Sequence, residues 1–258
     1  MSVLVVDEVW KRFRIPHERR TTILEHLAGT LWVFEGKRYS YEEFWALKAI
    51  NLRLEHGESL GLIGPNGSGK STLLKLMARV MRPDRGRIRA NGYIVPLLEL
   101  GIGFHADLTV KENIVLYGII MGIPRSEVRK RFDSVLDFAG LTKFEDAKLR
   151  NLSSGMQVRL AFSIAMQVEA DILLVDEALA VGDLGFQQKC LEKFRNFKKE
   201  GKTIVLVSHD MATIKDFCEK TMYLLDGGTR AFGSSEEVTD LYLEDVKAQT
   251  MRIPSNSV

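Results

Sequence analysis

The residues best suited to chemistry form one glycine-rich run, which matches the pattern G-x-x-x-x-G-K-[ST] of phosphate-binding loops. In order they are Gly64, Pro65, Asn66, Gly67, Ser68, Gly69, Lys70, Ser71 and Thr72. Glycine lets the backbone wrap tightly, so that successive N–H groups point inward at phosphate oxygens. Lys70 would place a positive charge at the terminal phosphates, and the hydroxyl of Ser71 is placed to bind Mg²⁺. The run therefore predicts a phosphate-binding loop that leads into a helix, whose positive N-terminal end also attracts anions.

Two other apolar runs end in residues that could act on a bound phosphate. Asp176 and Glu177 follow the run ILLV. Asp176 would hold the Mg²⁺ shell through water, and Glu177 would orient and polarise an attacking water molecule. Many strands end in acidic residues, so this pair gains its meaning from the phosphate-binding loop. His209 ends a third run, and because a lone histidine is more often structural than catalytic, both roles stay open for it.

The pattern of strands and helices predicts how these residues meet. Apolar runs predict buried strands at 58–64, 171–177 and 202–209, and helical patterns cover 69–80, 127–139, 154–168 and 186–200. Such alternation is typical of a mostly parallel α/β sheet. Ligands of these sheets bind at the carboxyl ends of the strands, where all three groups of chemical residues stand. The segment 108–156 is mainly helical and predicts a subdomain inserted in this core.

Composition argues against several other functions. The chain has 258 residues, with 36 Lys and Arg against 34 Asp and Glu, and its net charge of +2 argues against a nucleic-acid partner. Cys190 and Cys218 lack the spacing of metal ligands and are expected to be packing residues. Asp7 and Glu8 stand where a signal peptide needs an apolar core. The longest apolar stretch, 114–123, is far shorter than the ~20 residues of a membrane-spanning helix, so we expect no membrane crossing.

Four segments, in this order and spacing, resemble the ATP-binding subunits of ABC transporters. They are the phosphate-binding loop, LSSGM at 152–156, ILLVDE at 172–177 and SHD at 208–210. The resemblance runs from residue 3 to about residue 240 and implies a single ABC ATP-binding domain over 1–258. The implied fold is α/β: a P-loop NTPase (RecA-like) core with a mostly parallel sheet, an antiparallel β portion at the N-terminus and an inserted helical subdomain. The core would cover 1–107 and 157–240, the helical subdomain 108–156, and a flexible tail 247–258.

The resemblance also implies roles for residues outside the loop. The family's signature segment, which completes the ATP site of a second copy, corresponds to Ser153, Ser154, Gly155 and Met156. From its residues alone this segment need only cap a helix. Glu177 would be the catalytic glutamate and Asp183 the aspartate of the D-loop that follows it. His209 matches the switch histidine at the γ-phosphate, and Phe13 matches the aromatic residue that stacks on adenine.

One family residue is missing from its usual place. Most members carry a glutamine, the Q-loop residue, before the helical subdomain. Alignment without gaps puts Leu100 there, with Glu99 beside it. Glu99 could replace the water and metal contacts of the glutamine after a small shift.

Longer strings narrow the resemblance to exporters of lipid-linked bacterial surface polysaccharides of the capsule, O-antigen and teichoic-acid types. They are LLELGIGFHADLT (97–109), LSSGMQVRLAFSIA (152–165) and DEALAVGDLGFQQKC (176–190). The resemblance implies ATP and Mg²⁺ as ligands and a head-to-tail homodimer that sandwiches two ATP molecules. It also implies a separate transmembrane permease subunit, expected in two copies, that handles the polysaccharide. The protein would lie peripherally at the cytoplasmic face of the inner membrane and contact the permease through the groove around 99–120, with help from 114–123.

A long insertion, 14–46, separates Phe13 from the strand that leads to the phosphate-binding loop. One face of a short helix within it would carry Ile23, Leu24, Leu27 and Leu31. Two interpretations stay open: an interface helix near the membrane and the permease, or a flap packed on its own domain.

Three alternative functions compete with polysaccharide export. One is an ABC ATPase of another transporter class. The second is a non-transport ABC ATPase of DNA repair or translation, but 258 residues leave no room for a long coiled coil or for two ATP-binding units. The third is a sensor subunit that binds ATP without turnover, which the presence of Glu177 and His209 argues against.

Overall fold

The computed structural model describes residues 2–16, 41–98, 100–176 and 182–252, with side chains in the last helix described to residue 248. The strands are β1 (Ser2–Pro16), β2 (Tyr41–Glu55), β3 (Ser59–Ile63), β4 (Arg85–Ala90), β5 (Ile94–Leu97), β6 (Ile172–Asp176), β7 (Thr203–Val207), β8 (Lys220–Leu225) and β9 (Gly228–Ser234). The helices are α1 (Lys70–Met77), α2 (Val110–Ile120), α3 (Arg125–Lys130), α4 (Phe132–Ala139), α5 (Ser154–Ala165), α6 (Leu184–Lys199), α7 (Met211–Phe217) and α8 (Ser235–Arg252). Short 3₁₀ turns lie at Thr142–Phe144 and Leu149–Asn151.

The larger sheet has the strand order β5-β6-β7-β3-β8-β9, in which only β9 runs antiparallel to its neighbour among the described strands. Strands β3 and β7 are buried along their whole length, which explains their nearly continuous apolar sequences. Val207 pairs with Asp176 on one side and with Leu62 on the other, so β6, β7 and β3 end at the same level. The predicted mostly parallel α/β core is confirmed.

The smaller sheet is antiparallel, with the order β2-β1-β4, and confirms the expected β portion at the N-terminus. β1 pairs with β2 from Ser2–Glu55 out to Pro16–Tyr41, whereas β4 reaches only to Trp10. Beyond Trp10, β1 and β2 therefore continue as a two-stranded ribbon. Bulges at the root of this ribbon place Glu8 and Ala49 at φ 48° and 52°. Bulges bend a strand and redirect the side chains beyond them.

Two apolar cores cover the two faces of the larger sheet. Along β7, Ile204 and Leu206 pack into the core formed with the helical subdomain. Val205 and Val207, which alternate with them, pack into the core formed with the antiparallel sheet and α1. On the first side Phe162 of α5 lies 5.7 Å from Phe186 of α6, centroid to centroid, and edge-on to it. Helices α5 and α6 are thereby fixed to each other.

Some predicted bounds differ from the structure. The predicted helix 127–139 is two helices, α3 and α4, because Arg131 between them leaves the helical conformation with φ −94° and ψ 2°. Its guanidinium contacts the carbonyl oxygen of Gln167 and pairs with Glu169, tertiary contacts that periodicity does not show. None of the helices in the described ranges is both long and apolar enough to span a bilayer.

The structure also describes parts of the predicted flexible tail, 247–258, and of the predicted insertion, 14–46. Helix α8 runs to Arg252, so 247–252 is helical, because KAQTMR consists mostly of strong helix formers even though it lacks apolar periodicity. At the insertion, 14–16 and 41–46 belong to the ribbon strands. The remainder, 17–40, lies outside the described residues, and so does the predicted helix with its four apolar residues.

Both cysteines are expected to resist alkylation in the folded protein. Burial raises the pKa of Cys190 and that of Cys218 to about 12, so the reactive thiolate is scarce at neutral pH. Treatment with iodoacetamide at pH 8 should label neither thiol in buffer and both in denaturant, as mass spectrometry would show. Rapid labelling of the native protein would contradict their role as packing residues.

Candidate nucleotide-binding site

The glycine-rich loop is shaped by two close backbone approaches. Gly64 has φ +143°, and a Cβ there would lie 2.2 Å from the carbonyl oxygen of Leu224. Gly69 has φ +107°, and a Cβ there would lie 2.7 Å from the carbonyl oxygen of Ala46. Only glycine meets both requirements, so the pattern seen in the sequence has a steric cause.

Helix α1 begins directly at the loop, and Lys70 is its first residue. Only 7% of Lys70 is exposed, and its Nζ donates to the carbonyl oxygens of Gly64 (2.7 Å) and Pro65 (2.9 Å). No side chain caps the helix at Gly69. The N–H groups of the first turn of a helix point toward its N-terminus and give that end a partial positive charge. The loop thus presents a buried ammonium group and a helix N-terminus together, which suits an anion.

The acidic and histidine residues stand at the same edge of the sheet. Asp176 and Leu62 flank Val207 in one row across three strands, and neighbouring strands lie ~4.8 Å apart. Gly64 follows Leu62 by two positions, and His209 follows Val207 by two positions. The convergence inferred from the sequence is therefore present in the fold. Glu177 lies outside the described residues.

The turn that carries His209 is held by the cap of helix α7. The carboxylate of Asp210 accepts from the N–H of Ala212 (3.1 Å) and the hydroxyl of Thr213 (2.5 Å). These hydrogen bonds, above all that from Thr213, hold the pKa of Asp210 below its usual range. The cap therefore stays ionised at neutral pH and fixes the backbone next to His209, which is exposed.

One cleft of about 270 Å³ joins the loop to the ribbon. Its lining consists of Phe13, Phe44, Ala46, Asn66, Gly67, Gly69, Lys70, Ser71, Thr72 and His209. Eight of these ten residues were singled out from the sequence. The other two, Phe44 and Ala46, were not, although they alternate along β2 and Phe44 pairs with Phe13 across the ladder. Gly64, Pro65, Ser68 and Asp176 are not among the residues that line the cleft.

The signature segment stands apart from this cleft. Ser153 caps α5, with its Oγ accepting from the N–H of Met156 at 3.3 Å. Ser153, Ser154 and Gly155 are exposed, and a Cβ at Gly155 would meet no atom within 4 Å. Nothing from the segment lines the cleft. Within one chain, therefore, this helix N-terminus does not contribute to the cleft.

Asp183 links the signature helix to helix α6. Its carboxylate caps α6 by accepting from the N–H of Phe186 (2.9 Å) and pairs with Arg159 of α5 (3.3 Å). The Arg159 guanidinium also lies 6.0 Å from the ring centroid of Phe186. A displacement of the signature helix would therefore also displace the side chain of Asp183.

Leu100 lines a second groove, of about 290 Å³, on the helical subdomain. The remaining lining residues are Gly101, Phe104, Ala106, Leu149, Ser154, Gln157 and Val158. Ile102, next to Gly101 of this lining, is exposed, and so are Ile119 and Ile120 at the end of α2, where the side chain of Ile120 approaches Gly103. Glu99, the other residue at the Q-loop position, lies outside the described residues.

A mostly parallel α/β sheet with this loop at its carboxyl edge defines a phosphate-loop nucleotide-binding domain. Residues 47–180 match the family model described as ABC transporter, and the chain belongs to that family. The predicted resemblance is confirmed.

Several relatives are export proteins by name. The chain is 44% identical over 250 residues to the O-antigen export system ATP-binding protein RfbB of Myxococcus xanthus, covering 95% of this chain and 56% of that protein. It is 38% identical to the RfbB protein of Klebsiella pneumoniae, covering 93% and 97%. It is 39% identical to the teichoic acids export ATP-binding protein TagH of Listeria monocytogenes, covering 83% and 64%. The chain thus spans just over half of the Myxococcus relative and nearly all of the Klebsiella relative.

Solved structures with the same fold include dimers. A dimeric bacterial ABC transporter cassette superposes with a TM-score of 0.68 at 25% identity, covering 90% of this chain and 98% of that one. An ATP-binding cassette in a dimeric post-hydrolysis state, bound to ADP and Pi, gives 0.70 at 24% identity with the same coverage. The likeness to the latter concerns the fold alone.

Proposed function

We propose that the protein is the ATP-hydrolysing subunit of an exporter that moves a lipid-linked bacterial surface polysaccharide across the cytoplasmic membrane. The observation that carries the proposal is the cleft itself, which joins Lys70 and the N-terminus of α1 to His209 and the aromatic ribbon. The assignment of a polysaccharide as the transported compound is supported by the relatives named for O-antigen and teichoic-acid export.

ATP would enter with its phosphates on the loop. The first-turn N–H groups of α1 and the Lys70 ammonium group would bind the phosphate oxygens. Phe13, 38% exposed at the far wall of the cleft, would stack on the adenine. His209 would contact the γ-phosphate, and Glu177 would orient and polarise the attacking water.

The oxygen donors at the sheet edge fit a magnesium ion. Ser71 offers a hydroxyl in the cleft lining, and Asp176 offers a carboxylate at the end of β6. Mg²⁺ usually takes one or two protein oxygens, keeps several water molecules and draws its other ligands from phosphates. When bound it would neutralise charge on the terminal phosphates.

A second copy would complete each site. The signature helix has an exposed N-terminus with an open glycine, Gly155, and it does not reach the cleft of its own chain. In a head-to-tail homodimer, Ser153–Met156 of one copy would cover the phosphates bound by the other. The dimeric cassettes of the same fold support this arrangement.

The permease, in two copies, would dock at the groove beside Leu100. Of the predicted contact stretch 114–123, Ile114 and Tyr117 are buried in the core, while Ile119 and Ile120 are exposed. Ser154 of the signature segment lines the same groove. The signature segment would therefore take part both in closing the ATP site and in binding the permease. This contact would hold the protein peripherally at the cytoplasmic face of the membrane.

The proposal is tested by co-expression with each multi-span membrane protein encoded in the same gene cluster. The two should copurify in detergent, and the complex should hydrolyse ATP faster with a lipid-linked glycan than with the carrier lipid alone. The double variant Ile119→Glu/Ile120→Glu should bind ATP normally but lose the membrane partner. Phe144→Glu, an exposed aromatic of the same subdomain outside the groove, should keep it.

The outcomes separate the parts of the proposal. Retention of the partner by the double variant would place the docking surface elsewhere. Stimulation by a different transported compound, with no response to lipid-linked glycans, would favour another transporter class. Absence of any membrane partner would favour an ABC ATPase outside transport.

A further inference from the structure

A second aromatic side chain, Phe44, stands in the nucleotide cleft. Phe44 of β2 lies directly opposite Phe13 of β1 in the antiparallel ladder. Directly opposite residues of such a ladder have Cβ atoms ~5 Å apart and share one face. Both line the cleft, and Phe44 is the more exposed of the two, at 50% against 38%. The ribbon thus offers two adjacent rings to the space above the phosphate-binding loop.

The ribbon is held firmly on both sides of this ring pair. Arg12, next to Phe13, donates both to a carboxylate oxygen of Glu43, next to Phe44 (2.9 Å), and to Asp84 from its backbone N–H (2.9 Å). Trp10 and Trp45 meet edge-to-face at 5.5 Å between centroids. The rings are therefore presented by a fixed scaffold, so that little further ordering would be needed when a ligand arrives.

The end of the cleft formed by the ribbon is lined by apolar side chains. The ribbon residues in its lining are Phe13, Phe44 and Ala46, and none has a polar side chain. At the other end stand Lys70, Ser71, Thr72 and the loop. A ligand with a flat aromatic group at one end and phosphates at the other matches both halves. Stacking on aromatic rings suits any nucleobase because every base has a π-face.

We propose that Phe44 is a second base-binding residue, so that the nucleobase of ATP packs against Phe13 and Phe44 together. The proposal rests on the binding of ATP at the loop described above. It assigns to Phe44 a contact with the base alone, whereas the phosphates remain with Lys70 and the first turn of α1.

The test compares two ligands that differ only in the nucleoside. Wild-type protein and variants are titrated calorimetrically with MgATP and with magnesium tripolyphosphate. Phe44→Ala should weaken ATP binding about tenfold, a loss typical of one base–aromatic stack, and leave tripolyphosphate binding unchanged. Phe44→Leu, which keeps apolar bulk in the ribbon but removes the ring, should behave in the same direction. Phe44→Tyr should restore affinity.

Tyr41→Ala is the matched control, because Tyr41 is an equally exposed aromatic (52%) on the same strand outside the cleft. It should leave both affinities unchanged. Wild-type affinity for ATP in Phe44→Ala, or equal weakening of ATP and tripolyphosphate, would overturn the assignment of Phe44. Failure of the wild-type protein to bind either ligand would instead overturn the proposed function.

Discussion

The Lys70→Ala variant is expected to bind ATP at least about thirtyfold more weakly than the wild-type protein. Lys70 is buried at the start of α1, and its ammonium group lies within hydrogen-bonding distance of two loop carbonyl oxygens, on Gly64 and Pro65. Removal of one partner of a desolvated charge pair typically costs ~2–5 kcal/mol of binding free energy, and ~1.4 kcal/mol is a factor of ten. Equilibrium titration with MgATP measures the loss.

The same substitution also leaves the two carbonyl oxygens without this donor. The Pro65 oxygen still accepts from the N–H of Ser68, but the buried Gly64 oxygen loses its hydrogen bond from Lys70. An unsatisfied buried acceptor costs ~1–3 kcal/mol, so the free energy of unfolding should fall as well. Urea unfolding of the free protein measures that change separately from binding. Lys75→Ala is the matched control, because Lys75 lies on the same helix outside the cleft. Unchanged ATP affinity in a folded Lys70→Ala protein would contradict the phosphate-binding loop.

The sequence predicts which residues meet at the carboxyl edge of the larger sheet, because their positions depend on short local patterns. β3 and β7 are buried on both faces, so they appear in the sequence as short apolar runs, and the residues that follow each run must emerge at the same edge. The steric demands at Gly64 and Gly69 are also visible as glycines at a fixed spacing. Buried parallel strands and a glycine pattern need no knowledge of distant contacts.

Phe44 could not be predicted because its role depends on register across an insertion. Bulges at Glu8 and Ala49 set which residue of β2 faces Phe13, and a shift of one residue would have turned Phe44 away from the cleft. The break at Arg131 is similar, since its causes are contacts with residues more than thirty positions along the chain. Periodicity within one segment carries no information about such contacts.

The fold is compatible with the proposed division of the ATP site between two copies. The phosphate-binding loop follows β3 in the core, whereas the signature helix α5 packs on α6 through Phe162 and Phe186 and contributes no residue to the cleft. Asp183 joins α5 to α6, because it caps α6 and pairs with Arg159 of α5. Nucleotide binding and signature contact are therefore separable, which makes a variant that binds without turning over informative.

The Glu177→Gln variant is expected to keep wild-type affinity for ATP and to lose hydrolysis by about 10²- to 10⁴-fold, the usual contribution of a general base. Glutamine preserves the size of the side chain but cannot accept a proton from the attacking water. Asp176 ends β6 level with Val207 of β7 and Leu62 of β3. Glu177 is the next residue in the sequence, as Gly64 and His209 are the second residues after Leu62 and Val207. Binding is measured by titration and hydrolysis by phosphate release at saturating MgATP.

Glu192→Gln is the matched control, because Glu192 is an exposed carboxylate on α6 outside the cleft, and it should retain full turnover. Wild-type hydrolysis by Glu177→Gln would move the general base elsewhere, with His209 in the cleft as the next candidate. Equal loss of binding and hydrolysis would make Glu177 a binding residue instead.

If ATP joins two copies through the exposed signature segment, the hydrolysis-deficient Glu177→Gln variant should also form a lasting dimer with ATP, because the ATP between the copies is no longer hydrolysed. Gel filtration with ATP and with ADP would then show a dimer only with ATP.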